Sequence, residues 1–86
     1  MSITTVNNIV TTSLHNATVV AALPKNDDCY IALVKRSDRP VERAYSTHEV
    51  NITNGCMYYG HYDMSYARAV NDLNERARLE LTPAYM

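Results

Sequence analysis

Histidine and cysteine side chains are the first candidates for chemistry in this chain. His61 stands two residues before Asp63, and such a pair could act as acid and base or bind a metal. Cys29, Cys56 and His48 could add a nucleophile or further zinc ligands. The ligand spacings C-x-x-C and H-x-x-x-H do not occur, and 86 residues leave little volume for a deep substrate pocket. We therefore expect no catalytic residue, metal or cofactor, and keep a small metal- or thiol-dependent enzyme as one alternative.

A basic cluster around one predicted turn could contact nucleic acid, with Tyr45 nearby as a stacking partner. The cluster consists of Lys35, Arg36, Arg39 and Arg43. Charged side chains at an exposed hairpin tip more often serve only to solvate the turn. The net charge of −1 also argues weakly against general nucleic-acid binding, which needs a positive field. Nucleic-acid binding therefore remains the alternative to a protein partner.

Tyrosine replaces the other large aromatic residues, because the chain has seven Tyr and no Trp or Phe. Some of these rings must fill the core. Any that stay exposed would anchor a protein partner, since Tyr offers a large contact area at low entropic cost. Five of them lie toward the C-terminal end, from position 58 onward: Tyr58, Tyr59, Tyr62, Tyr66 and Tyr85.

One amphipathic helix is predicted over residues 64–81, where apolar side chains recur every three or four positions around Leu73. Asp63 or Ser65 can cap its start, and Pro83 cannot continue it. A single apolar stripe requires a single buried face, which must lie on the upstream strands. Residues 82–86 are left as a short tail. The charged side chains are expected on the rest of the helix surface: Arg68, Asp72, Glu75, Arg76, Arg78 and Glu80.

Residues 18–62 are predicted to form the sheet, with strands at about 18–23, 29–35, 41–52 and 57–62. Asn54-Gly55 is the strongest turn signal, and Gly60 indicates a bulge or a close packing contact in the last strand. Short connections favour a meander of antiparallel hairpins. Residues 1–15 have helical spacing but are rich in Thr, Val, Ile and Asn, so a short helix and an irregular edge strand are equally supported.

These elements predict a single α+β domain, in which an antiparallel meander of about four strands carries a C-terminal amphipathic helix on one face. A second sheet face and two edges would stay open, which invites homodimerisation. No apolar run of 18 residues and no signal-like N-terminus occur, so we expect a cytoplasmic protein without a membrane span.

Four stretches of the chain resemble small proteins of phages, prophages and plasmids. The shared plan is an apolar-Val-x-Arg-like strand end, an Arg-Tyr-Val-Thr-Trp-like strand, a Tyr-Trp-Gly-His-Tyr-Phe-like strand and an Ala-x-x-Asp-Phe-x-x-Arg-like helix. His48 and Tyr59 stand where that plan has Trp, and Leu73 stands where it has Phe. The matching residues are Ile31–Arg36, Arg43–His48, Tyr58–Asp63, and Ala69, Asp72, Leu73 and Arg76.

The resemblance implies a phage-encoded protein that binds a host protein complex and blocks it sterically, as anti-CRISPR proteins do. The implied target is a CRISPR–Cas effector or another defence nuclease in the host cytoplasm. We expect Arg76→Glu or Tyr59→Ala to weaken partner binding without unfolding the domain. The expected interface combines the exposed helix face with the last strand: Tyr58, Tyr59, Tyr62, Arg68, Asp72, Glu75 and Arg76.

Overall fold

The computed structural model describes the backbone of residues 2–81 and the side chains of residues 4–77. The predicted tail, residues 82–86, lies outside the described residues. Two helices flank four strands in chain order. They are α1 (Ser2–Ser13), β1 (Ala17–Pro24), β2 (Cys29–Arg36), β3 (Tyr45–Asn51), β4 (Cys56–Met64) and α2 (Tyr66–Leu81), with one turn of 3-10 helix at Val41–Arg43.

The strands form one antiparallel sheet in the order β1-β2-β3-β4, which confirms the predicted meander. In the middle of the sheet Leu33 pairs with Thr47, and Thr47 pairs with His61. The third strand is shorter than predicted, because Val41–Arg43 coil into the 3-10 turn. The Arg43 N–H donates to the Pro40 carbonyl at 2.9 Å and closes that turn before the strand begins.

Helix α2 packs on one face of the sheet, as predicted from its apolar stripe. Leu73 and its neighbours on α2 meet Ile31 and Leu33 of β2 in one buried cluster. The helix begins one residue after Ser65, whose Oγ accepts the Arg68 N–H at 3.3 Å, so Ser65 and not Asp63 provides the cap. Neither helix, over its described residues, is long and apolar enough to cross a membrane.

Helix α1 covers the opposite face of the sheet, so residues 2–13 are helical and the expected open face does not exist. Val6 and Val10 are fully buried against Ala32, Val34 and Val50. This apolar spacing at i and i+4 outweighs the low helix propensity of the segment. The molecule therefore has three layers, helix on sheet on helix, and only the two edge strands of the sheet remain for pairing.

Candidate functional site

Edge strand β4 carries three exposed tyrosines, which we call the tyrosine strip: Tyr58, Tyr59 and Tyr62. Their exposed fractions are 39%, 73% and 50%. Pairing between β3 and β4 shifts register twice, between Tyr45 and Thr47 and between Thr47 and Glu49. The bulge indicated by Gly60 is therefore confirmed. Bulges twist an edge away from regular pairing, so the side chains of β4 dominate this surface.

Tyr59 holds the most unusual backbone conformation in the strip. Its φ is 51°, in the left-handed region that costs an L-residue roughly 1–2 kcal/mol. No burial offsets that cost, because Tyr59 is the most exposed large apolar side chain among the described residues. Its ring lies 6.0 Å from the ring of Tyr58 at an angle of 41°. The strand thus presents a paired aromatic surface to solvent.

The Tyr62 ring packs over Gly60 and against the ring of His48. A Cβ on Gly60 would stand 2.6 Å from Cε1 of Tyr62, so only glycine leaves room for the ring. The Tyr62 ring meets the His48 ring edge-to-face, with centroids 5.1 Å apart at 77°. His48 is 1% exposed, and its Nε2 lies 2.9 Å from the Ser46 Oγ. Burial, followed by the electrostatic effects of Arg76, Arg36 and His61, lowers the pKa of His48 to about 4.

The predicted basic cluster is partly neutralised by carboxylates. Arg39 donates to Asp63 at 2.8 Å, and Arg36 Nε lies 3.8 Å from Asp38. Lys35 and Arg43 have exposed side chains. Asp63 itself adopts a left-handed φ of 59° within β4, where it serves this ion pair instead of a helix cap.

His61 pairs with Asp72 of α2, and not with Asp63 as its position in the sequence suggests. His61 Nδ1 lies 2.8 Å from Asp72 Oδ2, and the buried Thr47 hydroxyl donates to the same oxygen at 2.5 Å. Burial alone would raise the pKa of Asp72, but the hydrogen bonds from Thr47 and His61 outweigh it and lower that pKa. Sequence reasoning missed these contacts because His61 and Thr47 lie 11 and 25 residues before Asp72 in the chain.

Arg76 completes this polar network beneath α2. Its guanidinium donates to the Thr47 carbonyl at 3.2 Å and to the Thr47 Oγ1 at 3.0 Å. The side chains of Arg76 and Asp72 are only 12% and 22% exposed, so the expectation that both lie on the exposed helix face is wrong. The physical reason is that a fully buried Thr47 hydroxyl requires partners from the helix above it.

Arg68 and Glu75 do lie on the exposed side of α2, as expected. They border a shallow depression of about 210 Å³ together with Met64, Asn71 and Asp72. The expected interface therefore divides into two parts, an exposed part on β4 and the outer side of α2, and a half-buried part formed by Asp72 and Arg76. The prediction that Arg76→Glu spares folding does not fit this burial.

The two cysteines flank the same residue of β3. Cys29 and Cys56 each pair with Asn51, from opposite sides, so two strand spacings of roughly 4.8 Å separate them. That distance is too long for a disulfide without backbone movement, and both are free thiols. Burial, followed by the neighbouring Glu49, raises the pKa of Cys29.

Two histidines make side-chain hydrogen bonds in this part of the molecule. The exposed imidazole of His61 is held by Asp72, and the Ser46–His48 pair is buried beneath the strip. Within the described residues no group of three or more His, Cys, Asp or Glu could hold a metal ion. What β4 exposes is the aromatic surface of the tyrosine strip. Comparison of the chain with protein-family models, with curated proteins and with solved structures gave no match.

Proposed function

We propose that this protein binds another protein through the tyrosine strip and acts by occupying its partner's surface, without catalysis. The observation that carries this proposal is Tyr59, a bulky residue in a strained left-handed conformation with 73% of its surface exposed. Strain that the fold does not repay through burial is typical of binding and switch sites. A free aromatic ring at such a position is suited to fill a pocket on a partner.

The neighbouring residues make the strip a prepared surface. Tyr62 is fixed on Gly60 and His48, and Tyr58 accepts a hydrogen bond from Asn54 Nδ2 at 3.1 Å. Rings held in place before binding lose little conformational freedom when the partner arrives. The bulges of β4 also disfavour addition of a partner strand along this edge, so recognition falls to the side chains.

The partner we propose is a host protein complex of the defence class, a CRISPR–Cas effector or another defence nuclease, met in the cytoplasm of the bacterium. The resemblance to phage and mobile-element proteins supports this class. Its Tyr-Trp-Gly-His-Tyr-Phe-like segment coincides with Tyr58–Asp63, the part of β4 that carries the tyrosine strip. A small protein that binds stoichiometrically needs such a surface and no catalytic group.

Nucleic acid is a weaker candidate for the partner. Arg36 and Arg39 already face the carboxylates of Asp38 and Asp63. The charge available to neutralise phosphates is therefore smaller than the sequence indicates, and binding to nucleic acid depends strongly on such charge.

An affinity capture from a bacterial lysate, read by mass spectrometry, tests the proposal. We expect the tagged wild type to recover a defence complex and Tyr59→Ala to lose it. Tyr66→Ala is the matched control, because Tyr66 is a 53% exposed tyrosine outside β4. Support requires an identified complex whose binding is then reproduced with purified components. Equal capture by wild type and Tyr59→Ala, or recovery of nucleic acid alone, would overturn the assignment.

A further inference from the structure

Ser46, Thr47 and His48 are the buried polar side chains among the described residues, and of these Ser46 and His48 take no part in the α2 network. Both residues are 1% exposed and alternate with Thr47, so they face the side of the sheet away from α2. A buried polar pair costs stability compared with an apolar one of equal volume. Its location directly beneath Tyr62 indicates what it contributes.

We infer that His48, held by Ser46, positions Tyr62 over Gly60, and that protonation of His48 releases the ring. This inference rests on the proposed function, since Tyr62 belongs to the tyrosine strip. His48 is a positioning residue here, because it acts on the partner only through Tyr62.

Two contacts and the lack of a side chain on Gly60 hold the Tyr62 ring in place. Ser46 Oγ meets His48 Nε2 at 2.9 Å, and the His48 ring meets the Tyr62 ring at 5.1 Å. In addition, Gly60 has no side chain, and a Cβ at this position would lie 2.6 Å from the Tyr62 ring. Gly60 does not use a left-handed φ, so its role here is to leave space for the ring.

The charges around His48 oppose its protonation. Arg76 acts on it from α2 across the sheet, Arg36 acts from β2, and His61 acts from β4. Helix α1 supplies no charged side chain, because no Asp, Glu, Lys or Arg occurs in residues 1–24. Arg36 Nε is buried and makes no hydrogen bond among the described residues, and the carboxylate of Asp38 lies 3.8 Å from it.

A neutral imidazole can pair with the rotatable Ser46 hydroxyl as donor or acceptor, whereas an imidazolium can only donate. Protonation also adds a positive charge to a buried site on which Arg76 and Arg36 already act electrostatically. The half-exposed Tyr62 is the side chain able to swing away and admit water. At neutral pH the Tyr62 ring stays packed against His48, and the tyrosine strip is formed. Acid is therefore an experimental means of releasing the ring.

NMR of the isolated protein with isotope-labelled tyrosine tests the inference without any partner. At pH 7 we expect the Tyr62 ring signal to be displaced from the free-tyrosine position by the His48 ring. It should move to that position with the same midpoint as the His48 imidazole, near pH 4. His48→Gln should abolish the movement, and His15→Gln, at an exposed site, should leave it unchanged.

Gly60→Ala at pH 7 decides the question if acid unfolds the domain first. The new Cβ must displace the ring, so the Tyr62 signal should sit at the free-tyrosine position while the far-ultraviolet circular dichroism stays native. A Tyr62 signal that is undisplaced in the wild type, or unaffected by Gly60→Ala, would overturn the inference. Neither result depends on a partner. If the spectra behave as expected but no partner is captured, only the proposed function fails.

Discussion

Tyr59 and Asp63 share a left-handed backbone conformation, but the two residues differ in what they gain from it. Asp tolerates positive φ better than most residues, and Asp63 uses its position to pair with Arg39 at 2.8 Å. Tyr59 has neither advantage. A glycine at position 59 would fit the backbone at lower cost, which makes the presence of a tyrosine there an argument for function and not for folding.

At the same scale, His48 makes the stability of the protein depend on pH. Its pKa falls from an ordinary value of 6.5 to about 4 on folding, so between these values the unfolded chain binds more protons than the native one. His48 therefore does not reduce the free energy of unfolding above pH 6.5, and it reduces this free energy progressively as the pH falls from 6.5 toward 4. We expect a loss of about 2 kcal/mol between pH 7.5 and pH 5 from this residue alone.

Urea denaturation at the two pH values measures this effect. The difference in unfolding free energy between pH 7.5 and pH 5 should be smaller by about 2 kcal/mol in His48→Gln than in the wild type, because glutamine does not titrate. His15→Gln, which changes an exposed histidine, should retain the wild-type difference. If His48→Gln and the wild type lose the same free energy, His48 is not held neutral in the folded protein.

At the scale of elements, polar contacts fix helix α2 on the sheet as much as its apolar stripe does. Thr47 is fully buried in the centre of β3; its hydroxyl donates to Asp72, and its hydroxyl and carbonyl oxygens accept hydrogen bonds from Arg76. An apolar stripe alone would allow the helix to slide or rotate. The network therefore specifies the register of α2 on the strands.

Asp72→Ala tests this account of α2. The substitution removes the acceptor of the Thr47 hydroxyl and the carboxylate that lies 3.9 Å from the Arg76 guanidinium, so we expect the free energy of unfolding to fall by about 2–3 kcal/mol. Glu75→Ala, on the exposed side of the same helix, should change it by less than about 0.5 kcal/mol. Chemical denaturation of both variants gives the comparison. Equal effects would show that the network adds nothing to helix docking.

The elements with a clear period were predictable from the sequence. Leu73 marks a helical stripe and the short apolar runs mark strands, so the order of β1 to β4 and the packing of α2 followed. Helix α1 stayed undecided because local propensity and periodicity disagree there, and only burial of Val6 and Val10 resolves that conflict. Contacts between elements, such as Thr47 with Asp72, leave no local signal.

The candidate site was predictable in part for the same reason. The tyrosines of β4 were recognisable by type, and Gly60 indicated an irregular strand. The left-handed conformation of Tyr59 was not, since tyrosine rarely adopts it. Asp72 and Arg76 were assigned to the exposed face because helical periodicity shows which side is apolar, but not which polar residues at its border turn inward.

At the scale of the whole molecule, two helices close both faces of a four-stranded sheet and leave its edges. The edges differ in character. Strand β1 has a single irregularity near Val20, whereas β4 is interrupted twice and carries the tyrosine strip. Association between copies through an edge remains a prediction. The exposed aromatic area and the strained residue lie together on β4, which is where we place the binding surface.

The central claim is that Tyr59 serves binding at the expense of the fold, and Tyr59→Gly tests it most directly. Glycine removes the ring together with the left-handed strain, whereas Tyr59→Ala removes the ring alone. We predict that the free energy of unfolding of Tyr59→Gly is about 1 kcal/mol larger than that of Tyr59→Ala and no smaller than that of the wild type. Both variants should bind the captured partner at least about tenfold more weakly. Wild-type affinity in Tyr59→Gly, or a clear loss of its stability, would contradict the account.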